Sequence, residues 1–121
     1  MAEYIKRKKV LRKYPNLDFH GAFTTVAVTN GISDIMHTDR NDVGLTWVLP
    51  FGEFEGGNLR IPHYGIEIPI KEGEAIAFQA NFVAHMSSPL VSGERLALTC
   101  FTDRNIMMHS QRYWKKKGGK Q

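Results

Sequence analysis

Gly65-Ile66-Glu67-Ile68-Pro69-Ile70-Lys71-Glu72-Gly73-Glu74-Ala75-Ile76-Ala77-Phe78 is the stretch whose reading decides the fold. Its first six residues alternate apolar and other side chains with period two, as a half-buried strand does. Lys71-Glu72-Gly73-Glu74 is turn chemistry, and Ala75 to Phe78 follows as a second strand.

The same pattern extends outward in both directions. Upstream, Phe23 to Thr29 is rich in β-branched residues and ends at the turn signal Asn30-Gly31. Ile35 to Asp39 reads as a short strand, and Gly44 to Leu49 as another, closed by Pro50. Glu55-Gly56-Gly57-Asn58 is a turn ahead of Leu59-Arg60-Ile61. Downstream, Arg95 to Phe101 is the last clear core strand, with Ile106 to His109 as a short addition. Strands at 8- to 12-residue spacing, with no long amphipathic helix between residues 16 and 110, indicate an all-β sandwich or barrel. Residues 23–109 have room for about eight such strands, the number in a jelly roll. The expected organisation is a basic helical segment at 1–15 stopped by Pro15, a jelly-roll domain at 16–111 and a basic tail at 112–121.

Composition narrows the function classes. No apolar run reaches the ~18 residues of a membrane span, and the basic N-terminus lacks a signal-peptide core. The single cysteine, Cys100, excludes an intrachain disulfide and fits a reducing, intracellular compartment. It stands in the apolar run Leu96 to Phe101, as a small buried hydrophobe would. The net charge of +4 is concentrated at the ends, in Lys6-Arg7-Lys8-Lys9 with Arg12 and Lys13, and in Lys115-Lys116-Lys117 with Lys120. Basic ends on a near-neutral body suit a nucleic-acid partner or nuclear import; solvated tails that aid solubility are the plainer alternative. No membrane partner and no disulfide-linked partner is expected.

The chemistry-bearing residues are His37-Thr38-Asp39, His85 and Arg95. On a strand, residues i and i+2 face the same side, so His37 and Asp39 can bind one metal together. His85, arriving after the turn-prone Gln79-Ala80-Asn81, would complete two imidazoles and one carboxylate on one side of the ion. That donor set suits Fe(II) with positions left open for chemistry. Of the five histidines only His85 is followed ten residues later by a cation, Arg95. A guanidinium at that point can hold a carboxylate through two parallel hydrogen bonds. The remaining histidines, His20, His63 and His109, fall in loops or tails, and Trp47, Phe51, Phe54, Phe78 and Phe82 read as core or barrel-mouth packing.

His37-x-Asp39, His85 and Arg95 resemble the His-x-Asp…His…Arg pattern of iron(II)- and 2-oxoglutarate-dependent dioxygenases. The stretch Gly44 to Leu59, and Gly65 to Glu74 with the strand after it, is similar to text found in fungal members grouped with the TET/J-binding-protein type. Those enzymes oxidise the methyl group of 5-methylcytosine or thymine in nucleic acid. The resemblance spans roughly residues 23 to 106 and implies a double-stranded β-helix. It further implies Fe(II) on His37, Asp39 and His85, with Arg95 on the distal carboxylate of 2-oxoglutarate. Dioxygen would be consumed, 2-oxoglutarate would become succinate and carbon dioxide, and a substrate C–H bond would be hydroxylated. The chemistry would be iron-centred, with no separate protein acid or base. Two features depart from the pattern. Ala97 stands where many relatives carry Ser, two residues past the arginine, and only about 20 residues precede the first strand, where the family places supporting helices. Two other functions remain open, a protein hydroxylase of the prolyl type and a catalytically silent jelly-roll module that binds nucleic acid.

Overall fold

The computed structural model describes residues 23–116 together with Ile5, Lys6, Arg12 and Gly118. All but three positions of the expected N-terminal helix, and residues 117 and 119–121 of the basic tail, lie outside the described residues.

Nine strands and one α-helix make up the described part. In chain order they are β1 (Thr25–Asn30), β2 (Thr46–Phe51), β3 (Phe54–Gly56), β4 (Leu59–Ile61), β5 (Ile66–Ile68), β6 (Ile76–Phe78), β7 (Met86–Ser87), β8 (Leu90–Gly93), β9 (Leu96–Phe101) and α1 (Arg104–Lys116). They form a four-stranded sheet β1-β9-β2-β6, a three-stranded sheet β5-β4-β7 and a two-stranded ribbon β3-β8. Every pairing is antiparallel. The architecture is jelly-roll-like, as the spacing of turn signals predicts.

The pleat explains how the sheets enclose a cavity. On β9 the odd residues Ala97, Thr99 and Phe101 point to one face, together with Arg95 just before the strand. The register aligns Ala27 and Val48 with Thr99, and Thr46 with Phe78. All of these line one cavity of about 320 Å³, which Leu59, Met86 and Ser87 close from the three-stranded sheet. Below it, buried Leu59, Ile61 and Ile70 pack with Ile68, Ile76, Phe78 and Val83. Cys100 faces the opposite side of β9 and is buried, and that burial pushes its thiol pKa up.

Three expectations need correction. Residues 35–39 do not form a strand: His37 makes a single antiparallel bridge with His85. Pro50 lies inside β2 rather than closing it, where β9 is still paired but β6 has already ended. A proline is tolerated there because that half of the strand is a local edge. Residues 106–109 belong to α1, not to a strand. Asp103 starts the helix, its Oδ1 accepting the N–H of Asn105 at 2.7 Å and of Ile106 at 3.3 Å. Ile106, Met107, Ser110 and Tyr113 then form the inward stripe at helical spacing. No described helix is long and apolar enough to cross a membrane.

Candidate metal and anion site

His37 and His85 exchange both backbone hydrogen bonds, His37 N–H to the His85 carbonyl at 3.0 Å and the reverse at 2.9 Å. Such a directly opposed pair projects both side chains to the same face. Their rings stand 4.5 Å apart between centroids. Asp39 joins them because its N–H is held by the Ala80 carbonyl at 2.9 Å, and its own carbonyl accepts the Asp42 N–H at 3.1 Å. One carboxylate oxygen lies 3.5 Å from His37 Nε2 and the other 3.6 Å from His85 Nε2. One ligand atom from each of the three residues falls within 4.8 Å of the other two.

The tautomers are set by the backbone. His37 Nδ1 lies 2.7 Å from the Ile35 carbonyl, and His85 Nδ1 lies 2.8 Å from the Val83 carbonyl. Because a carbonyl only accepts, each Nδ1 carries a proton, and each Nε2 is the ring nitrogen that faces Asp39. Orienting contacts of this kind are what metal-binding histidines commonly make. Phe78 braces His85 edge-on, with centroids 4.9 Å apart.

Asp39 titrates below the ordinary carboxylate range, first because of its hydrogen bond with His85 and then through the charges of both histidines. Burial works to lower the His85 value. The hydrogen bond to Asp39, the Val83 carbonyl and the nearby carboxylates outweigh it, and the net direction is upward. Asp39 thus favours the protonated form of His85, and a cation bound between them would compete with that proton.

Arg95 lines the same cavity and is 7% exposed. Its Nη1 donates to the Gly31 carbonyl at 3.0 Å, and its guanidinium carbon stands 5.7 Å from the centre of the Phe54 ring. Nε is buried with no acceptor, and among the described residues no carboxylate pairs with the group. Burial alone pushes its pKa down, and a guanidinium remains charged all the same. A buried cation with an orphaned donor calls for an anion to complete it. Gly57 makes room for the guanidinium, since a Cβ there would sit 3.0 Å from Arg95 Cδ.

Asp42 is a wall residue that sequence reading does not single out. It is 6% exposed, lines the cavity, and accepts the Thr46 hydroxyl at 2.8 Å. Burial raises its pKa. Of the other histidines, His63 and His109 are exposed and outside this cavity, and His20 is outside the described residues. Phe54 is buried as expected, whereas Phe82 is 75% exposed.

No protein-family model matches the sequence, and no curated protein matches it either. Solved structures do. NgTET1 in complex with 5mC DNA superposes with a TM-score of 0.68 at 16% identity, over 88% of this chain and 49% of that one. The viral collagen prolyl hydroxylase vCPH of Paramecium bursaria Chlorella virus-1, as its 2OG complex, gives 0.50 at 19% identity, over 78% of this chain and 68% of that one. The chain shares its fold with both. It spans about half the length of the NgTET1 chain.

Proposed function

We propose that this chain is an Fe(II)- and 2-oxoglutarate-dependent dioxygenase that hydroxylates the methyl group of a modified base in nucleic acid. The observation that carries the reading is one cavity holding both His37, Asp39 and His85 within ligand distance of each other and the carboxylate-free Arg95. Two neutral imidazoles and a carboxylate on one side of a cation fit Fe(II) with open positions. The orphaned Arg95 donor fits the distal carboxylate of 2-oxoglutarate. Bound there, iron and 2-oxoglutarate would supply the oxidising chemistry with dioxygen.

The chain's own residues do the positioning. The Ile35 and Val83 carbonyls hold both Nδ1 atoms, which leaves both Nε2 atoms facing the cation position. Arg95, fixed by Gly31 and Phe54, sets the direction in which the co-substrate lies. Val48, Ile76, Phe78 and Phe101 make the cavity wall apolar and restrict water. Asp42 presents a buried acceptor that an exocyclic amine could satisfy, which suits cytosine better than thymine. The fold shared with a TET protein bound to 5mC DNA supports the nucleic-acid substrate, and an intracellular, nuclear location belongs to the same proposal. The likeness to a prolyl hydroxylase favours a protein substrate as the second reading.

The test is succinate formation from 2-oxoglutarate with anaerobically added Fe(II), with iron binding titrated in the same samples. Iron-dependent turnover that rises with 5-methylcytosine duplex is expected. Stimulation by a proline-rich peptide and not by DNA would move the assignment to the second reading. Failure to bind either iron or 2-oxoglutarate would overturn the oxygenase itself.

A further inference from the structure

Three glutamates and a row of cations lie toward opposite ends of the four-stranded sheet, with Lys71 near the glutamates and Asp42 and Asp103 near the cations. At the end of the four-stranded sheet where Phe51 pairs with Leu96, Glu53, Glu72 and Glu94 gather. There the Glu94 N–H meets the Glu53 carbonyl at 3.1 Å, and the Gly52 N–H meets the Glu72 carboxylate at 2.6 Å. At the opposite end, beyond Phe101, the chain carries no acidic residue after Asp103. That end is also where the proposed metal ligands lie. Asp42, three residues after Asp39, bridges to Asp103, and Asn41 accepts the Arg104 N–H at 2.8 Å. The first turn of α1 is thus tied by its backbone to the loop that carries Asp39.

The helix turns Met107 and Ser110 inward, while Arg104, Arg112, Lys115 and Lys116 are all exposed. Arg104, Met108, Arg112 and Lys115 follow one another at steps of four, four and three, so the three cations among them share one face of the helix. Asn105, Met108 and His109 lie among them. Arg40, next to Asp39, is exposed as well. A row of cations that starts beside the cavity and runs along a 13-residue helix extends about 20 Å, roughly the length of six base pairs of duplex.

We propose that the outer face of α1 is the backbone-binding surface for the nucleic-acid substrate, with Arg40 and Arg104 gripping phosphates beside the cavity and Arg112, Lys115 and Lys116 gripping those farther along. This rests on the nucleic-acid reading above. Phosphate contacts of this kind position a substrate without reading its sequence. The helix would therefore set where the target base meets the cavity, and the cavity wall would select the base.

The experiment uses the full chain loaded with Fe(II) and 2-oxoglutarate under anaerobic conditions, with a labelled 5-methylcytosine duplex titrated over a salt series. Three proteins are compared: wild type, the triple variant Arg112→Gln/Lys115→Gln/Lys116→Gln, and the charge-matched Lys6→Gln/Lys8→Gln/Lys9→Gln. The helix variant should keep iron and 2-oxoglutarate binding and lose about 10-fold or more in DNA affinity. Its salt slope should flatten by about 0.9 for each phosphate contact removed. The charge-matched variant should lose less. Equal losses in the two variants would mean that only net charge matters, and would overturn the helix proposal. So would tighter binding to phosphatidylserine vesicles than to DNA. If wild type binds iron and 2-oxoglutarate but no DNA, the surface and the nucleic-acid substrate both fail while the oxygenase stands. If it binds neither small ligand, the failure lies in the oxygenase reading.

Discussion

The two ends of the cavity solve opposite electrostatic problems. At one end Asp39 lies between His37 and His85, with one carboxylate oxygen 3.5 Å from His37 Nε2 and the other 3.6 Å from His85 Nε2, so the carboxylate faces two groups that can balance it. At the other end Arg95 is a buried cation with one backbone acceptor, an orphaned Nε and no carboxylate partner among the described residues. The first end can persist without a ligand, whereas the second is incomplete without an anion. The metal end should therefore tolerate ligand loss as a change of protonation. The arginine end should hold a stability cost that ligand binding relieves.

The largest effect expected is at the metal end. Asp39→Ala removes the one anionic donor, and iron affinity should fall by more than the roughly 10- to 100-fold seen when a mere supporting contact is lost. Metal titration and succinate assays read this together, and unchanged iron binding would mean that the three residues are not the site. Next is Arg95→Met, which should weaken 2-oxoglutarate by about 2–5 kcal/mol, roughly 30- to 3,000-fold. The ligand-free protein should meanwhile melt no lower, because replacing an unpaired buried charge by an apolar side chain is often neutral or stabilising. A large fall in melting temperature without ligand would break the contrast between the ends.

A third effect separates the ends by pH. The His85 pKa is raised above its ordinary 6.5, and iron must displace its proton. Iron affinity should therefore begin to fall, on acidification, at a pH above 6.5. The metal-free protein should show the reverse. The stabilisation from protonated His85 beside Asp39 is complete below about 6.5 and is lost as the pH rises through the raised folded value. Melting curves with and without iron at several pH values would show the crossing, and parallel curves would count against it. The smallest effects belong to the arginine end. Gly57→Ala places a Cβ against Arg95 at a backbone φ of +61°, which should cost about 1 kcal/mol and raise the KM for 2-oxoglutarate several-fold. Ala97→Ser should lower that KM by a few-fold, by adding a hydroxyl to the buried wall beside Arg95.

Legibility from sequence followed side-chain composition. β1, β2 and β9 are six-residue strands rich in β-branched or apolar side chains, and the three-residue β4, β5 and β6 each have large apolar residues at both ends. β3, β7 and β8 run to two to four residues and contain Gly or Ser, so no period can develop. α1 escaped for a different reason. Ile106, Met107 and Met108 resemble a strand fragment, and the small Ser110 hides the helical stripe. Asp103, followed by fourteen residues free of Gly and Pro, was the available signal. At the site, residue types and order were readable, but the way His37 and Asp39 converge was not. Their common face comes from pairing with His85 and Ala80, more than 40 residues away, and not from a strand of their own. Asp42 is polar and turn-adjacent in sequence, and only the tertiary burial reveals it.

The most direct test of the account is an anaerobic calorimetric titration of 2-oxoglutarate into wild type, Asp39→Ala and Arg95→Met, each with and without Fe(II). The account predicts tight binding to iron-loaded wild type only, with both variants weakened and iron giving no gain in Asp39→Ala. Equal affinity in all three proteins, indifferent to iron, would contradict the claim that this cavity holds a metal at one end and a carboxylate at the other.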